Sequence, residues 1–485
     1  MSEFCAGWIQ VKLPIVSEII MGQSPPSSTY NKHGQGLPFF QGKTEFGKLY
    51  PVPVNYCSSP NKIAISGDIL ISVRAPVGPT NLCQERSAIG RGLAAIRPLG
   101  NIQSLYILFY LRSIEEHLSK QGTGSTFTAI SKTDIEDIDI LIAPLNEQRR
   151  IVAKLEKLLA KVDTCKQRLD KIPLILKRFR QSILTAACSG RLTADWREKN
   201  LNFTSLIEVL EENNVDDSSN LPSTWCLTSV GDVIENIKYG TSKKCDYALK
   251  GVPVLRIPNI GDGIIDSTGL KYTELSPKEF EELKLVPGDI LVIRSNGSVS
   301  LVGKSAIIRE AEKDFAYAGY LIRLRPNKSL IEPNYLNFCF LSSEVRLQIE
   351  IPARSTSGVN NINSNEVKQL KILIPPLEEQ KEIVQRVETL FKIADQIEQR
   401  YQKARSYVDQ LSQSILAKAF RGELVPQDLN DEPASVLLER IRAERDKEGK
   451  SEKAKVKSTG RRGGKAKQRL SEPIQLELPE LDYSE

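Results

Sequence analysis

The stretch Ile142-Ala-Pro-Leu-Asn-Glu-Gln148 returns as Ile374-Pro-Pro-Leu-Glu-Glu-Gln380, at an offset of 232 residues. The offset holds without a gap through Gln181-Ser-Ile-Leu184, which returns as Gln413-Ser-Ile-Leu416, and on to Leu192 and Leu424. Over this span 20 of 51 positions are identical, which marks an internal duplication. Apolar or near-apolar residues stand at 151, 155, 158, 162, 165, 169, 172, 176, 179 and 183 in the first copy. In the second they stand at 383, 387, 390, 394, 397, 401, 404, 408, 411 and 415. Steps alternating between four and three are the a/d seam of a coiled coil. At a helical rise of about 1.5 Å per residue, such a seam runs for roughly 50 Å. The matched length and register favour pairing copy one with copy two over two helices on separate cores. Pro173 is expected to kink or break the first helix.

Working outward, fainter matches join the segments that precede the helices. Trp8, Leu13 and Val16 share their spacing with Trp225, Val230 and Val233. Ser66-Gly-Asp-Ile-Leu-Ile71 resembles Pro287-Gly-Asp-Ile-Leu-Val292, and Ala95-Ile-Arg-Pro98 resembles Leu324-Arg-Pro326. Between these markers the halves diverge. The globular segments read as mixed α/β: short β-rich runs at Asp68–Val73 and Ile290–Ile293, with apolar helical stretches at Leu105–Leu118 and Tyr335–Ile349. The expected fold class is therefore α+β (mixed), two α/β domains alternating with two long helices, duplicated as a whole. The expected boundaries are 1–145 and 216–376 for the domains, 146–215 and 377–446 for the helical scaffold. Residues 447–485 are expected to be a disordered tail, basic and then acidic, in which solubilising character is favoured over a DNA-gripping arm. Helical stretches at Ser205–Glu212 and Ala434–Asp446 follow the two long helices and are assigned to the scaffold.

Composition narrows the chemistry. The chain has 485 residues, 40% of them hydrophobic, and a net charge of +6. Residues 441–470 hold twelve basic and four acidic residues, and 471–485 hold five acidic residues and none basic. The other 440 residues then carry only about +3 (6 − 8 + 5), so a DNA footprint must come from local patches. No run of 18 apolar residues is present, and MSEFCAGWIQ has no signal-peptide pattern. Eight scattered cysteines without a Cys-x-x-Cys pair fit free thiols in a reducing cytoplasm. Two histidines, His33 and His117, leave little material for a catalytic triad or a histidine-rich metal site. Gly297 to Lys304-Ser305 and Gly36 to Lys43-Thr44 imitate a phosphate loop, each with one residue too many between the glycines. No adenine-methyltransferase motif of the Asp/Asn-Pro-Pro-aromatic type and no Gly-x-Gly-x-x-Gly after a strand is found. Asp68 and Asp289 precede strands, where a turn explains them better than catalysis.

The Pro-Leu-x-Glu-Gln motifs at 144–148 and 376–380, Ile175-Leu-Lys-Arg-Phe-Arg-Gln-Ser-Ile-Leu184 and Gln413-Ser-Ile-Leu-Ala-Lys-Ala-Phe-Arg-Gly-Glu-Leu424 carry a resemblance. Over residues 5–445 the chain resembles the specificity subunits of type I restriction–modification systems. That resemblance implies two target-recognition domains held by an antiparallel coiled coil, each reading one half of a bipartite, asymmetric double-stranded DNA site. It implies no catalysis and no cofactor in this chain. It implies two methyltransferase (modification) subunits that use S-adenosylmethionine to methylate adenine, and two restriction (motor-nuclease) subunits that use ATP and Mg. It places the protein in the cytoplasm, with no membrane. The alternatives are a self-contained site-specific nuclease, which should cut DNA alone with Mg²⁺, and a coiled-coil adaptor, which should give no salt-dependent gel shift.

Base and phosphate contacts come mostly from Arg, Lys, Asn, Gln, Ser and Thr on loops. In the first domain that reading selects Gln23, Ser24, Tyr30, Lys32, Gln41, Lys43, Thr44, Arg74, Ser125 and Thr126. In the second it selects Tyr239, Thr241, Lys243, Lys244, Arg256, Asn259, Arg294, Asn296, Ser298, Arg354, Ser357 and Asn360. The plainer reading of each is an ordinary solvated loop residue.

Overall fold

The computed structural model describes residues 5–121, 129–200, 222–351 and 360–459, residue 121 and the last twelve by backbone alone. It divides into two compact units, Met1–Cys165 with Tyr407–Glu485, and Lys166–Ser406. Each unit contains part of both long helices.

In the first unit, strand Ile9–Lys12 pairs antiparallel with Asp139–Ile142, which leads into helix Leu145–Leu169. A four-stranded antiparallel sheet follows the order Ser17–Met21, Leu93–Pro98, Ile69–Ser72, Thr80–Leu82. A five-stranded sheet contains one parallel pairing, between Leu37–Phe40 and Ser87–Ile89. Helix Ser104–Ser113 buries Tyr106 through Leu111 without interruption, as a helix enclosed by core must.

The second unit repeats this plan. Cys226–Ser229 pairs with Lys371–Ile374 ahead of helix Leu377–Phe420. Its four-stranded sheet runs Ile234–Tyr239, Leu321–Pro326, Ile290–Ile293, Ser305–Ile307, the same order as its counterpart. A parallel strand pairing joins Val252–Leu255 to Ala316–Tyr317. Both expected apolar helices are interrupted, into Ser104–Ser113 and Glu115–Gln121, and into Pro333–Leu341 and Ser343–Glu350.

The same aspartate organises both sheets. Gly67 and Gly288 take positive φ, 90° and 95°, a turn that suits glycine. The next residue caps that turn: Asp68 accepts from Ile65 N at 2.9 Å and Asp289 from Val286 N at 3.0 Å. Each buried carboxylate also receives a two-pronged arginine, Arg97 at 2.9 and 2.9 Å and Arg325 at 2.8 and 2.8 Å. This pairing holds both guanidinium groups above their usual pKa. The turn assignment of the two aspartates holds.

The long helices pair antiparallel. In the second unit Arg180 meets Asp395 at 2.8 Å and Asp170 meets Arg405, so the numbering falls on one helix as it rises on the other. The seam is deepest at its ends, where Ile151, Leu155, Ile383 and Val387 are fully buried. Towards its middle Cys165 and Ile397 are exposed, and so is Leu411 near the end of the second helix. The first helix breaks between Leu169 and Ile172, and Pro173 sits in the first turn of the new segment, where its missing N–H is not needed. Its partner runs unbroken for 44 residues. The last helix, expected to end at 446, continues as Ala434–Thr459, in a stretch rich in Lys, Glu and Ala, which favour helix. Its Leu437, Leu438 and Ile441 join the core of the first unit.

Candidate nucleic-acid interface

The repeated Pro-Leu-x-Glu-Gln motif works where strand becomes helix. Gln148 and Gln380 donate back to Ala143 O at 2.8 Å and Pro375 O at 2.9 Å, closing the turn. Glu147 accepts the Trp8 indole N–H at 2.9 Å, and Glu379 accepts that of Trp225 at 3.0 Å. The surroundings of the two carboxylates differ. Glu379 also accepts from Thr193 Oγ1 at 2.6 Å and from the Arg197 guanidinium. Glu147 Oε1 is buried without a partner among the described residues, and desolvation pushes this carboxyl up, with the Trp8 bond opposing. These contacts tie Trp8 and Trp225, each just ahead of a strand, to the start of the helix that follows.

On that frame stands a second duplicated feature, a platform of loops with matching backbone hydrogen bonds. Gly22 N donates to Leu93 O at 2.9 Å, and Gly240 N to Leu321 O at 3.3 Å. Gln23 N reaches Ile89 O at 3.0 Å, and Thr241 N reaches Tyr317 O at 2.9 Å. Gly90 N binds Phe40 O and Ala318 N binds Leu255 O, both at 2.9 Å. Val73 N binds Gly92 O and Arg294 N binds Tyr320 O, again both at 2.9 Å. Ile130 N closes on Val73 O at 3.0 Å, and Ile362 N on Arg294 O at 2.9 Å. A Cβ on Gly22 would lie 2.2 Å from Gly90 O, and one on Gly240 would lie 2.3 Å from Tyr317 O, so neither place admits a side chain.

These bonds equate Gln23 with Thr241, Gln41 with Arg256, Val73 with Arg294 and Arg74 with Ser295. Arg74 and Arg294 are therefore not counterparts but one residue out of step, in agreement with their positions six residues after Asp68 and five after Asp289. In a strand that step reverses the face a side chain takes. Arg74 is exposed. Arg294 is half-buried, its guanidinium 4.7 Å from the Tyr239 ring and its Nε without a partner among the described residues.

The structure sorts the remaining candidates. Gln23, Lys32, Gln41, Lys43, Thr44, Lys244 and Ser298 are exposed on loops, and Thr241 and Asn296 are partly so. Tyr239 is partly exposed, and its hydroxyl accepts Ser364 N at 2.9 Å. Lys243 is held by Glu279 at 2.7 Å, and that carboxyl falls to about 2, chiefly through this bond. Arg256 donates to Gly269 O at 2.8 Å and lies over Tyr247. Four candidates serve as internal braces. Asn259 is buried and spends both amide hydrogens on Asp266 O and Thr268 O. Asn360 is buried, with its amide on Asn296 O and Gly297 O. Tyr30 packs on Phe39 and donates to Pro25 O, and Ser24 Oγ accepts Arg91 N. Ser125, Thr126, Arg354 and Ser357 lie outside the described residues.

Sequence reading missed Arg91 and Tyr320, both exposed in the turn that the platform surrounds. Only the alignment of backbone bonds singles them out. Among the described residues no group of His, Cys, Asp and Glu is placed to hold a metal ion, and no helix is long and apolar enough to cross a membrane.

A family model described as the type I restriction modification DNA specificity domain matches residues 6–174 and 222–404. The chain is 33% identical over 479 residues to the type I restriction enzyme EcoKI specificity subunit of Escherichia coli K12, covering 93% of this chain and 98% of that one. It is 33% identical over 469 residues to the StySPI specificity subunit of Salmonella potsdam, covering 90% and 96%. In fold it matches a chain solved in work on assembly and conformational transition of the type I R-M system (TM-score 0.66, 21% identity, 87% of this chain and 100% of that one). It also matches the HsdS subunit of Thermoanaerobacter tengcongensis (TM-score 0.54, 20% identity, 87% and 98%).

Proposed function

We infer the mode of action from this premise: the chain belongs to the type I restriction–modification specificity family and recognises a DNA target site. The two units act as two readers, each for one half of a bipartite site. The observation that carries this reading is the duplicated loop platform. Its backbone bonds agree between the units while its side chains differ, so one docking geometry serves two base sequences. Within each platform Gln23, Gln41, Lys43, Thr44 and Arg74 face one half-site, and Tyr239, Thr241, Lys244, Arg256, Arg294, Asn296 and Ser298 face the other. Lys32 and Lys243 contact phosphates, the Lys243–Glu279 surface pair being weak enough to exchange for one.

The chain supplies recognition and no catalysis. Chemistry comes from two modification subunits carrying S-adenosylmethionine and two restriction subunits using ATP and Mg, which assemble on the scaffold segments 146–215 and 377–446. The domains proper are 1–145 and 216–376, and the complex works in the cytoplasm, where DNA and these cosubstrates are found. The test is an exchange of residues 222–374 for the equivalent segment of a relative with a different target, followed by methylome sequencing. One half of the modified site is expected to change and the other to stay. A change in both halves, or in neither, overturns the reading.

A further inference from the structure

Two residues outside every expectation sit at the centre of the platforms. In the first unit the turn Gly90-Arg91-Gly92 links strands Ser87–Ile89 and Leu93–Pro98. Its neighbours are the candidate readers. Ser24 Oγ accepts Arg91 N at 3.2 Å, and Gly92 O accepts Val73 N, next to Arg74. A Cβ on Gly92 would lie 2.3 Å from Gln41 O, so the turn packs directly against Gln41. In the second unit Ala318-Gly319-Tyr320 is the same turn. Gly319 N donates to Thr241 O at 2.7 Å, and Tyr320 O accepts Arg294 N at 2.9 Å.

The side chains at these turns are free to act. Arg91 is exposed, and among the described residues its guanidinium has no ion pair or hydrogen bond. Tyr320 is 63% exposed, and among the described residues its ring rests on no other ring. The same turn thus offers a guanidinium at its second residue in the first unit, where the other unit has Gly319, and a phenol at its third residue in the second unit, where the other has Gly92. A guanidinium fork fits the O6 and N7 edge of guanine, whereas a tyrosine ring offers apolar contact to a thymine methyl.

We propose that Arg91 and Tyr320 are specificity-determining residues, Arg91 selecting a guanine in the first half-site and Tyr320 selecting one base pair in the second. This rests on the two-reader reading above. It adds that the turn between the two strands, and not only the loops around it, carries sequence discrimination. Glycine occupies the place of Arg91 in the second unit with the flanking bonds intact, so removing this side chain leaves the turn able to form.

The experiment takes the subunit assembled with its modification subunits and selects bound molecules from a library of randomised DNA duplexes. Arg91→Ala should lower the preference at one base pair of the first half-site about tenfold or more, with the second half-site unchanged. Arg91→Lys, which keeps the charge and loses the fork, should not restore it. Tyr320→Ala should relax one position of the second half-site alone. Unchanged motifs, a weakening uniform over all sequences, or full rescue by lysine would overturn the proposal, the last two marking a phosphate contact. The exchange of residues 222–374 is run beside these variants. If it switches a half-site while the point variants are silent, this inference fails and the two-reader reading stands. If the exchange itself changes nothing, the reading beneath has failed.

Discussion

Glu147 and Glu379 occupy the same place in the repeat, yet the structure assigns them unequal energies, and replacing each by glutamine measures the difference. Glu379 is almost wholly buried and receives Trp225, Thr193 and Arg197. Its amide analogue would leave the Arg197 guanidinium, 19% exposed, without its counter-charge. Removing one member of a buried ion pair costs about 3–5 kcal/mol, and the residual exposure of Arg197 places this case near about 3 kcal/mol. Among the described residues Glu147 has Trp8 on one oxygen and no hydrogen bond on the other, so Glu147→Gln keeps the indole acceptor and strands no cation; its effect should stay within about 1 kcal/mol. Hydrogen exchange on the intact chain separates the units, because peptides from Ile69–Ser72 and Ile290–Ile293 report the two sheets independently. Glu379→Gln should speed exchange in Ile290–Ile293 by about a hundredfold, at a factor of ten for every 1.4 kcal/mol. Glu147→Gln should leave Ile69–Ser72 nearly unchanged. Equal losses in both units, or a larger loss from Glu147→Gln, would refute the argument that Arg197 distinguishes them.

Two other outcomes are expected. Burial raises the Glu147 carboxyl above its ordinary 4.5, so the folded first unit binds this proton more tightly than the unfolded chain; the resulting stabilisation is complete below 4.5 and is lost as pH rises through the folded value. The advantage of Glu147→Gln over the parent in urea unfolding should accordingly grow across that window, and a flat difference would remove the carboxyl as its cause. Inserting one heptad into each long helix lengthens the pair by about 10 Å, close to three base-pair steps; methylome sequencing should show a longer unread spacer, and an unchanged spacer would mean the helices are not the ruler.

The helical scaffold was legible because its signal is periodic. Apolar residues every three or four positions can be counted, and the duplication of Gln-Ser-Ile-Leu confirmed the register twice over. The break at Pro173 was also readable, since a missing N–H and a fixed φ act wherever proline stands. The globular domains left only islands such as Gly-Asp-Ile-Leu, where a positive-φ turn and a buried carboxylate restrict the residue type. Between the islands a backbone hydrogen bond is indifferent to the side chain that carries it, so the platform stayed invisible. Counting from Gly-Asp sets Val73, not Arg74, opposite Arg294, and the bonds to Gly92 O and Tyr320 O agree with that count. Asn259 and Asn360 mislead for a chemical reason: an amide that could read adenine is equally able to clasp its own loop.

On the two-reader reading proposed above, the same indifference explains how a duplicated protein comes to read two different sequences. Positions fixed by what the backbone needs, such as Gly22 and Gly240 where no Cβ fits, or Asp68 and Asp289 where a turn and an arginine must both be met, are the same in the two units. Positions whose side chains leave the platform without an internal partner among the described residues are free to change, and there the units differ: Arg74 against Ser295, Arg91 against Gly319. Substitution at such places costs little folding energy, because the bonds that hold the loop come from main-chain N–H and C=O groups. Recognition could then diverge one half-site at a time, while Trp8 on Glu147 and Trp225 on Glu379 tie each proposed reader to the start of its helix.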